Sequence, residues 1–469
     1  MDIRSLVQDR TRVALILALL IIFFCIFALS YHLNGPGWDV IAHYMTAKNY
    51  MDPRFLSGSF VNNRGWQIQY DTFYIEPYRE AIASLIFVPF ILLGYHPILG
   101  YLIVLYLLFA LAIWFFCKSL KFDVLLGYGL MLSPFFVYLS LMVNGTEILS
   151  LSLLLIAIGF IFRKSSFAGI FIGAAGLAKY PILIFLPLLL FLGDKKKIAV
   201  SYLLFALTTL PWLAFNYIFY GNLLEAYIGS ITLNVTNNPS FSIPIIPILL
   251  SFAIPAFVLA VGLLYVKAGG RKLKGSIASA LRESSFTRFA LVFLVLALAA
   301  YVVMAKSSGF FDQVRYAYCL YGAGAFFALI ILQHEIRSVK NLGKVVALTA
   351  IVILSISPVT YYAITRDYSS AGNVNSRNST VKASIVELGA MGYANCRVES
   401  NAWVYLLYLN VSAYSPLYLN ATVASEYPIV VFGSFGISPS YDWNTNGSKL
   451  VYEGDGFSVF LPSNVMCVR

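Results

Sequence analysis

The chain has 469 residues, 60% of them hydrophobic and only 11% charged, with a net charge of +11 and a mean hydropathy of +0.80. Soluble domains carry about 25% charged residues, so this composition excludes a soluble globular protein and points to an integral membrane protein. The lysines and arginines lie in short clusters between apolar runs, which is the pattern of membrane topology rather than of nucleic-acid binding, and no nucleic-acid partner is expected.

The first apolar run, residues 13–33, lacks a small-residue cleavage site and reads as a retained helix rather than a signal peptide. A polar, aromatic loop follows over 34–80. Residues 81–93 are apolar but too short to cross a bilayer, which takes about 20 residues of helix; they read as a surface or re-entrant segment ending at Gly94. Spanning helices are expected at 97–117, 122–143, 147–162, 198–220, 245–266, 289–305, 316–333 and 345–362. Residues 167–192 read as a hairpin of two short arms around Lys179-Tyr180-Pro181.

Charge orders these pieces. With 167–192 as a hairpin, Arg4, Arg10 and Arg12, Lys118 and Lys121, Arg163 and Lys164, Lys195 to Lys197, the basic cluster of 267–288, and Arg337 with Lys340 and Lys344 share one side. By the positive-inside rule that side is cytoplasmic. The expected fold is an α-helical polytopic membrane protein of about eleven transmembrane helices. Its N-terminus is cytoplasmic and its C-terminus extracytoplasmic, in a plasma- or ER-type membrane. The glycosylation sequons at Asn144, Asn234, Asn378, Asn410, Asn420 and Asn446 all fall outside in this arrangement.

Residues 1–362 thus form the membrane domain, with 34–96 as its large extracytoplasmic loop. Residues 363–469 form a small α/β domain. Short strands are expected there at 429–432, 449–452 and 457–461, and short helices at 381–391 and 403–409. None of the five cysteines forms a CxxC pair, so a zinc site is not expected. Cys396 and Cys467 lie in the exposed tail, where oxidation is possible, and are expected to pair.

The loop carries most of the chemistry. If the chain is helical from Asp39, then Asp39 and His43 share a face at i, i+4, with Tyr44 next to them. Farther on come Trp66, Tyr70, Tyr74, Glu76 and Arg79. Aromatic rings stack on the C–H faces of sugars, and carboxylates accept hydrogen bonds from sugar hydroxyls. A positioned carboxylate also takes the proton of an attacking hydroxyl. The competing structural reading is an aromatic belt at the lipid–water boundary.

Three further positions stand out. Glu147, in Asn144-Gly145-Thr146-Glu147, opens an apolar helix, where the helix dipole alone would favour it. Lys179 lies between two apolar arms and must reach water or an anion. Arg315, followed by Tyr316, stands at a membrane rim, where a guanidinium suits a lipid phosphate. No dinucleotide fingerprint, P-loop, HExxH or nucleophile-elbow motif is present.

From Ser133-Pro134 through Asn144-Gly145-Thr146-Glu147 to the run RKSSFAGIFIGAAGLAKYP ending at Pro181, the chain resembles the GT-C superfamily of polyprenyl-phosphate-sugar-dependent glycosyltransferases. The segment 133–190 is most similar to mannosyltransferases. Arg315-Tyr316 resembles the Arg-Tyr that opens a later helix in that superfamily. The resemblance implies a catalytic acidic residue in the loop after helix one, which maps onto Asp39, a lipid-linked donor entering from the membrane, and inversion at the sugar carbon. On the residues themselves, Arg315 and Lys179 are expected to hold the donor phosphate and the loop aromatics a lipid or glycan acceptor. Many relatives carry two adjacent acidic residues where this chain has Asp39-Val40, and the WWDYG signature of oligosaccharyltransferases is absent. No cofactor is required on this reading. A divalent cation, Mg²⁺ or Mn²⁺, between Asp39 and Glu147 is the alternative for the site. A flippase or transporter of the lipid-linked sugar is the alternative for function, although such proteins carry ionisable groups at mid-membrane and often repeat their halves. A receptor-like sensor with the tail as its ligand domain is a third reading.

Overall fold

The computed structural model describes residues 38–51, 81–131, 145–228, 286–304, 316–336, 374–409, 427–433 and 448–463, with shorter pieces of 13–25, 245–263, 411–414 and 465–467. The expected span 345–362 and the loop stretch 52–80 lie outside the described residues, as do parts of 13–33, 122–143 and 245–266.

The membrane part is a helical bundle. Helix α1 covers Trp38–Tyr50, and the short helices α2 (Ala81–Leu85) and α3 (Val88–Leu92) follow. Then come α4 (Pro97–Leu120), α5 (Val124–Met131), α6 (Thr146–Phe162), α7 (Ala168–Ala178), α8 (Lys195–Tyr220), α9 (Thr287–Met304) and α10 (Tyr318–Ile336). Helix α6 is apolar all round and buried along nearly its whole length, as expected of the central helix of a bundle. The Tyr106 hydroxyl of α4 donates to the Leu20 carbonyl and so ties the first apolar run to the bundle.

Among the described residues, three helices are long and apolar enough to cross a membrane: Pro97–Leu120, Lys195–Ile218 and Thr287–Met304. Their outer faces carry exposed stripes, Leu107 and Leu111 on α4 and Leu203, Leu207 and Leu210 on α8. A soluble monomer rarely exposes apolar surface so continuously; lipid covers such faces in an integral membrane protein.

Residues 167–192 form a hairpin. Helix α7 stops at Ala178, Lys179 is extended (φ −158°, ψ 107°), and a 3₁₀ segment runs back over Tyr180–Leu192. Proline is disfavoured inside an α-helix because it lacks the N–H and crowds the preceding turn. Pro181 and Pro187 accordingly lie in the tighter-wound arm. At the base, the Lys164 ammonium donates to the Phe191 carbonyl at 2.7 Å, a cation at a helix C-terminus. Helices α7 and α8 run side by side in the same direction. They touch at Gly169, where a Cβ would strike the Ser201 backbone.

Residues 374–463 add helix α11 (Val374–Ala390), helix α12 (Trp403–Tyr408) and a five-stranded sheet of order β2-β1-β3-β5-β4. The strands are β1 (Val398–Ser400), β2 (Ala413–Tyr414), β3 (Ile429–Phe432), β4 (Ser448–Gly454) and β5 (Phe457–Pro462). β1 is parallel to β2 and β3, while β5 is antiparallel to β3 and β4. Asp455-Gly456 joins β4 to β5 with both φ angles positive (50° and 83°), the two-residue turn that matches strand twist. The Asn401 side chain exchanges two hydrogen bonds with the Phe432 backbone, at 2.8 and 2.9 Å, and so extends the β1–β3 ladder. A disulfide joins Cys396, just before β1, to Cys467, beyond β5.

The sheet unit rests on the bundle through α1. Ile41, Ala42 and Met45 of α1 pack with Val398, Ala402, Trp403, Tyr405 and Leu406 in one core. Val40 and Ala47 belong to the bundle core instead.

Candidate functional site

Helix α1 carries Asp39 and His43 four residues apart, hence on one face. The described structure gives the backbone of Asp39 but not its side chain. His43 is fully buried, and its Nδ1 lies 2.9 Å from the Ser84 hydroxyl of α2. This contact pins α1 to α2. Tyr44 is half-buried, its hydroxyl pKa raised by desolvation. Its ring meets Phe87 edge-on at 6.0 Å, and Phe87 stacks on Tyr101 at 4.2 Å.

Tyr101 leads to the second part of the site. Gly145 precedes α6 with φ +70°, and a Cβ there would come within 2.5 Å of Leu105 and 3.2 Å of the Tyr101 hydroxyl. Only glycine meets both demands, the left-handed backbone and the close approach. Directly after it, Thr146 and Glu147 open α6, both fully buried.

Glu147 and Lys179, which the sequence offers as separate candidates, form one ion pair of 3.2 Å. Lys179 is 8% exposed. Its ammonium also donates to the Thr146 hydroxyl at 3.4 Å and sits 5.7 Å from the centre of the Tyr316 ring. The apex of the α7 hairpin therefore meets the N-terminus of α6 and Tyr316, two residues before α10. Ser150, one turn into α6, contacts the Tyr318 hydroxyl at 3.1 Å and locks α6 to α10. A buried ion pair holds only when its geometry and further hydrogen bonds offset the desolvation of both charges; Thr146 and the Tyr316 ring supply that support here.

Ala81 of α2 packs with Leu177 and Tyr180, the near neighbours of Lys179, so α2 touches both α1 and the hairpin apex. The structure thus gathers His43, Tyr44, Glu147, Lys179 and Tyr316 around one end of the bundle. Trp66, Tyr70, Tyr74, Glu76, Arg79 and Arg315 lie outside the described residues. Arg315 is the chain neighbour of Tyr316. Among the described residues no cluster of three or more metal-ligating side chains occurs.

Sequence reasoning missed Thr146 and Ser84 as partners in this site, because each acts through a contact distant in sequence. It also missed Trp212 and Asn216 of α8, although a polar residue in an apolar span is itself a signal.

No family model and no curated protein matches the chain. A solved structure does: ArnT from Cupriavidus metallidurans bound to undecaprenyl phosphate superposes with a TM-score of 0.59, covering 95% of this chain and 97% of that one. The chain shares the fold of that structure. At 13% identity the likeness to ArnT is one of architecture. It extends over the membrane bundle and the C-terminal residues alike, so the shared fold accounts for nearly the whole chain.

Proposed function

We propose that the protein is a membrane glycosyltransferase that moves a single hexose, with mannose the first candidate, from a polyprenyl-phosphate donor to a lipid, glycan or protein acceptor on the extracytoplasmic face. One observation carries the reading. The Asp39 helix, the Glu147–Lys179 pair and Tyr316 gather at one end of a bundle that shares the fold of ArnT, and the ArnT structure is bound to undecaprenyl phosphate.

In this reading Asp39 is the base. It takes the proton as the acceptor oxygen attacks the sugar carbon; the new C–O bond forms while the bond from that carbon to the phosphate oxygen breaks. The lipid phosphate leaves with the electron pair, and attack opposite the leaving group inverts the carbon. Arg315 grips the phosphate as a bidentate donor. Glu147 holds Lys179 at the hairpin apex, where it adds a second positive charge facing the leaving group. Trp66, Tyr70 and Tyr74, with Glu76 and Arg79, receive the acceptor.

Purified protein incubated with radiolabelled undecaprenyl-phosphate sugars and membrane lipids is expected to transfer label to an acceptor. If no donor yields transfer and undecaprenyl phosphate does not bind, the reading fails.

A further inference from the structure

Trp212 and Asn216 lie four residues apart on one face of α8, near its C-terminal end. Trp212 is 7% exposed and Asn216 fully buried. The Asn216 Nδ2 donates to the Trp212 carbonyl at 2.8 Å, which fixes the orientation of the amide. Asn216 Oδ1 and Trp212 Nε1 are left as a buried acceptor and a buried donor without a hydrogen-bond partner. Folded interiors pair nearly all such groups, because an unmade buried hydrogen bond is destabilising. Two of them on one helix face require a reason.

Their surroundings supply one. The Trp212 ring stacks on Phe215 at 4.8 Å and 7°, and Phe215 meets Tyr50 of α1 edge-on at 6.1 Å. Tyr180 and Tyr227 lie 4.6 Å apart. Trp212 shares a packed cluster with Leu177 and Tyr180, on either side of Lys179 in the chain. The unpaired donor and acceptor therefore sit in an aromatic group next to the hairpin apex.

A hydrocarbon tail can satisfy neither an indole N–H nor an amide oxygen. A hydroxylated ring satisfies both, since a hydroxyl accepts from one group and donates to the other, while its C–H faces lie against aromatic rings. Leu177 and Tyr180 of this cluster flank Lys179 in the chain, so a sugar on a phosphate held at Lys179 would lie beside it.

We propose that Trp212 and Asn216 form the subsite for the sugar ring of the lipid-linked donor, its hydroxyls completing the two unpaired groups. The proposal rests on the glycosyl-transfer reading and goes beyond it by separating recognition of the sugar from recognition of the lipid phosphate.

The test is equilibrium binding of detergent-purified protein to bare undecaprenyl phosphate and to undecaprenyl phosphate carrying mannose, glucose or galactose. Wild type is expected to bind at least one sugar-bearing lipid more tightly than the bare one. Trp212→Phe, which keeps a ring but removes the N–H, and Asn216→Leu are each expected to cut that sugar-dependent gain by about 2- to 10-fold. Affinity for bare undecaprenyl phosphate stays unchanged. Thermal unfolding verifies that at least one variant keeps its fold. The subsite is refuted if none of the sugars adds affinity in wild type, if the gain survives both substitutions, or if both kinds of lipid weaken alike. Failure of wild type to bind even bare undecaprenyl phosphate strikes the glycosyl-transfer reading itself, and the subsite falls with it.

Discussion

The ring of Tyr44 meets the ring of Tyr408 edge-on, with 5.9 Å between centroids. Tyr44 belongs to the helix that carries Asp39, and Tyr408 closes α12 of the sheet unit. On its other side Tyr44 meets Phe87 of the bundle. The Asp39 helix is therefore gripped between two bodies, and its orientation depends on both. Rigid placement of this kind matters because small misplacements of a reacting group reduce rates steeply.

Tyr408→Ala is expected to lower kcat by about 2- to 12-fold, the rate equivalent of losing one aromatic pair, with the KM for donor unchanged. Tyr408→Phe keeps the ring and is expected to stay near wild type. Steady-state kinetics of the two variants decides it; equal effects from both would mean that the ring contact does not orient α1.

Glu147 and Lys179 are expected to behave as one unit. Removing one partner of a buried pair leaves an uncompensated charge and destabilises by about 3–5 kcal/mol. Glu147→Gln or Lys179→Met alone should lower the unfolding temperature markedly, and the double variant should regain most of the loss without regaining transfer. Additive losses in thermal unfolding would show that the pair is not coupled.

Asp39→Asn is expected to abolish transfer while the protein still folds and inserts. General-base help contributes about 10²- to 10⁴-fold, and asparagine keeps the size but cannot take the proton. His43→Ala is run beside it, because the buried His43 tether should affect stability more than chemistry. Wild-type rates for Asp39→Asn would sink the assignment of the base. Loss of wild-type activity to a chelator, restored by Mg²⁺ or Mn²⁺, would sink the metal-free mechanism.

Arg315→Ala is expected to weaken donor binding by about 10- to 150-fold, the equivalent of one hydrogen bond to a charged group. Arg315→Lys should restore little, since an ammonium lacks the planar fork. Unchanged donor KM and kcat would remove Arg315 from the site.

Glu399 of β1 is buried, and desolvation raises its carboxyl pKa to about 7. A carboxyl whose folded pKa is raised stays protonated in the folded state over a range where the unfolded chain has already ionised. Its stabilising contribution is full at low pH, declines as pH rises from the ordinary carboxylate range to about 7, and stays lost above that. The whole loss is about 2–4 kcal/mol. Glu399→Gln should therefore raise the unfolding temperature at pH 8 and leave it nearly unchanged at pH 4. An equal shift at both values would show that Glu399 does not titrate on unfolding.

The sequence carried the local structure well, because local structure follows from period and punctuation. The run read as 97–117 is helical over Pro97–Leu120, the run read as 147–162 over Thr146–Phe162, and the strand read as 429–432 over Ile429–Phe432. The hairpin around Lys179 was legible from Pro181 and from the charge balance, and the chain breaks its helix there. The Cys396–Cys467 bridge was legible, as two cysteines in one exposed tail, but the side-chain pairings within the bundle were not. Glu147 and Lys179 stood out as two isolated charges, since nothing local to either encodes the packing of α6 against α7. Trp212 and Asn216 were absorbed into an apolar span, because hydropathy averages over a window and hides two polar atoms on one face. His43 drew attention as a chemical group, yet Ser84, which holds it, gives no sign in its own neighbourhood.

The contact of Gly169 with the Ser201 backbone has a further consequence. Two helices that meet backbone to backbone cannot slide past each other by a residue without driving a Cβ into a carbonyl. The vertical register of the hairpin against α8 is thereby fixed at its base. Lys179, ten residues further on, inherits that register, so the height at which its positive charge stands in the bundle is set by a glycine at the opposite end of the same short helix. Gly169→Val would move the charge without touching it.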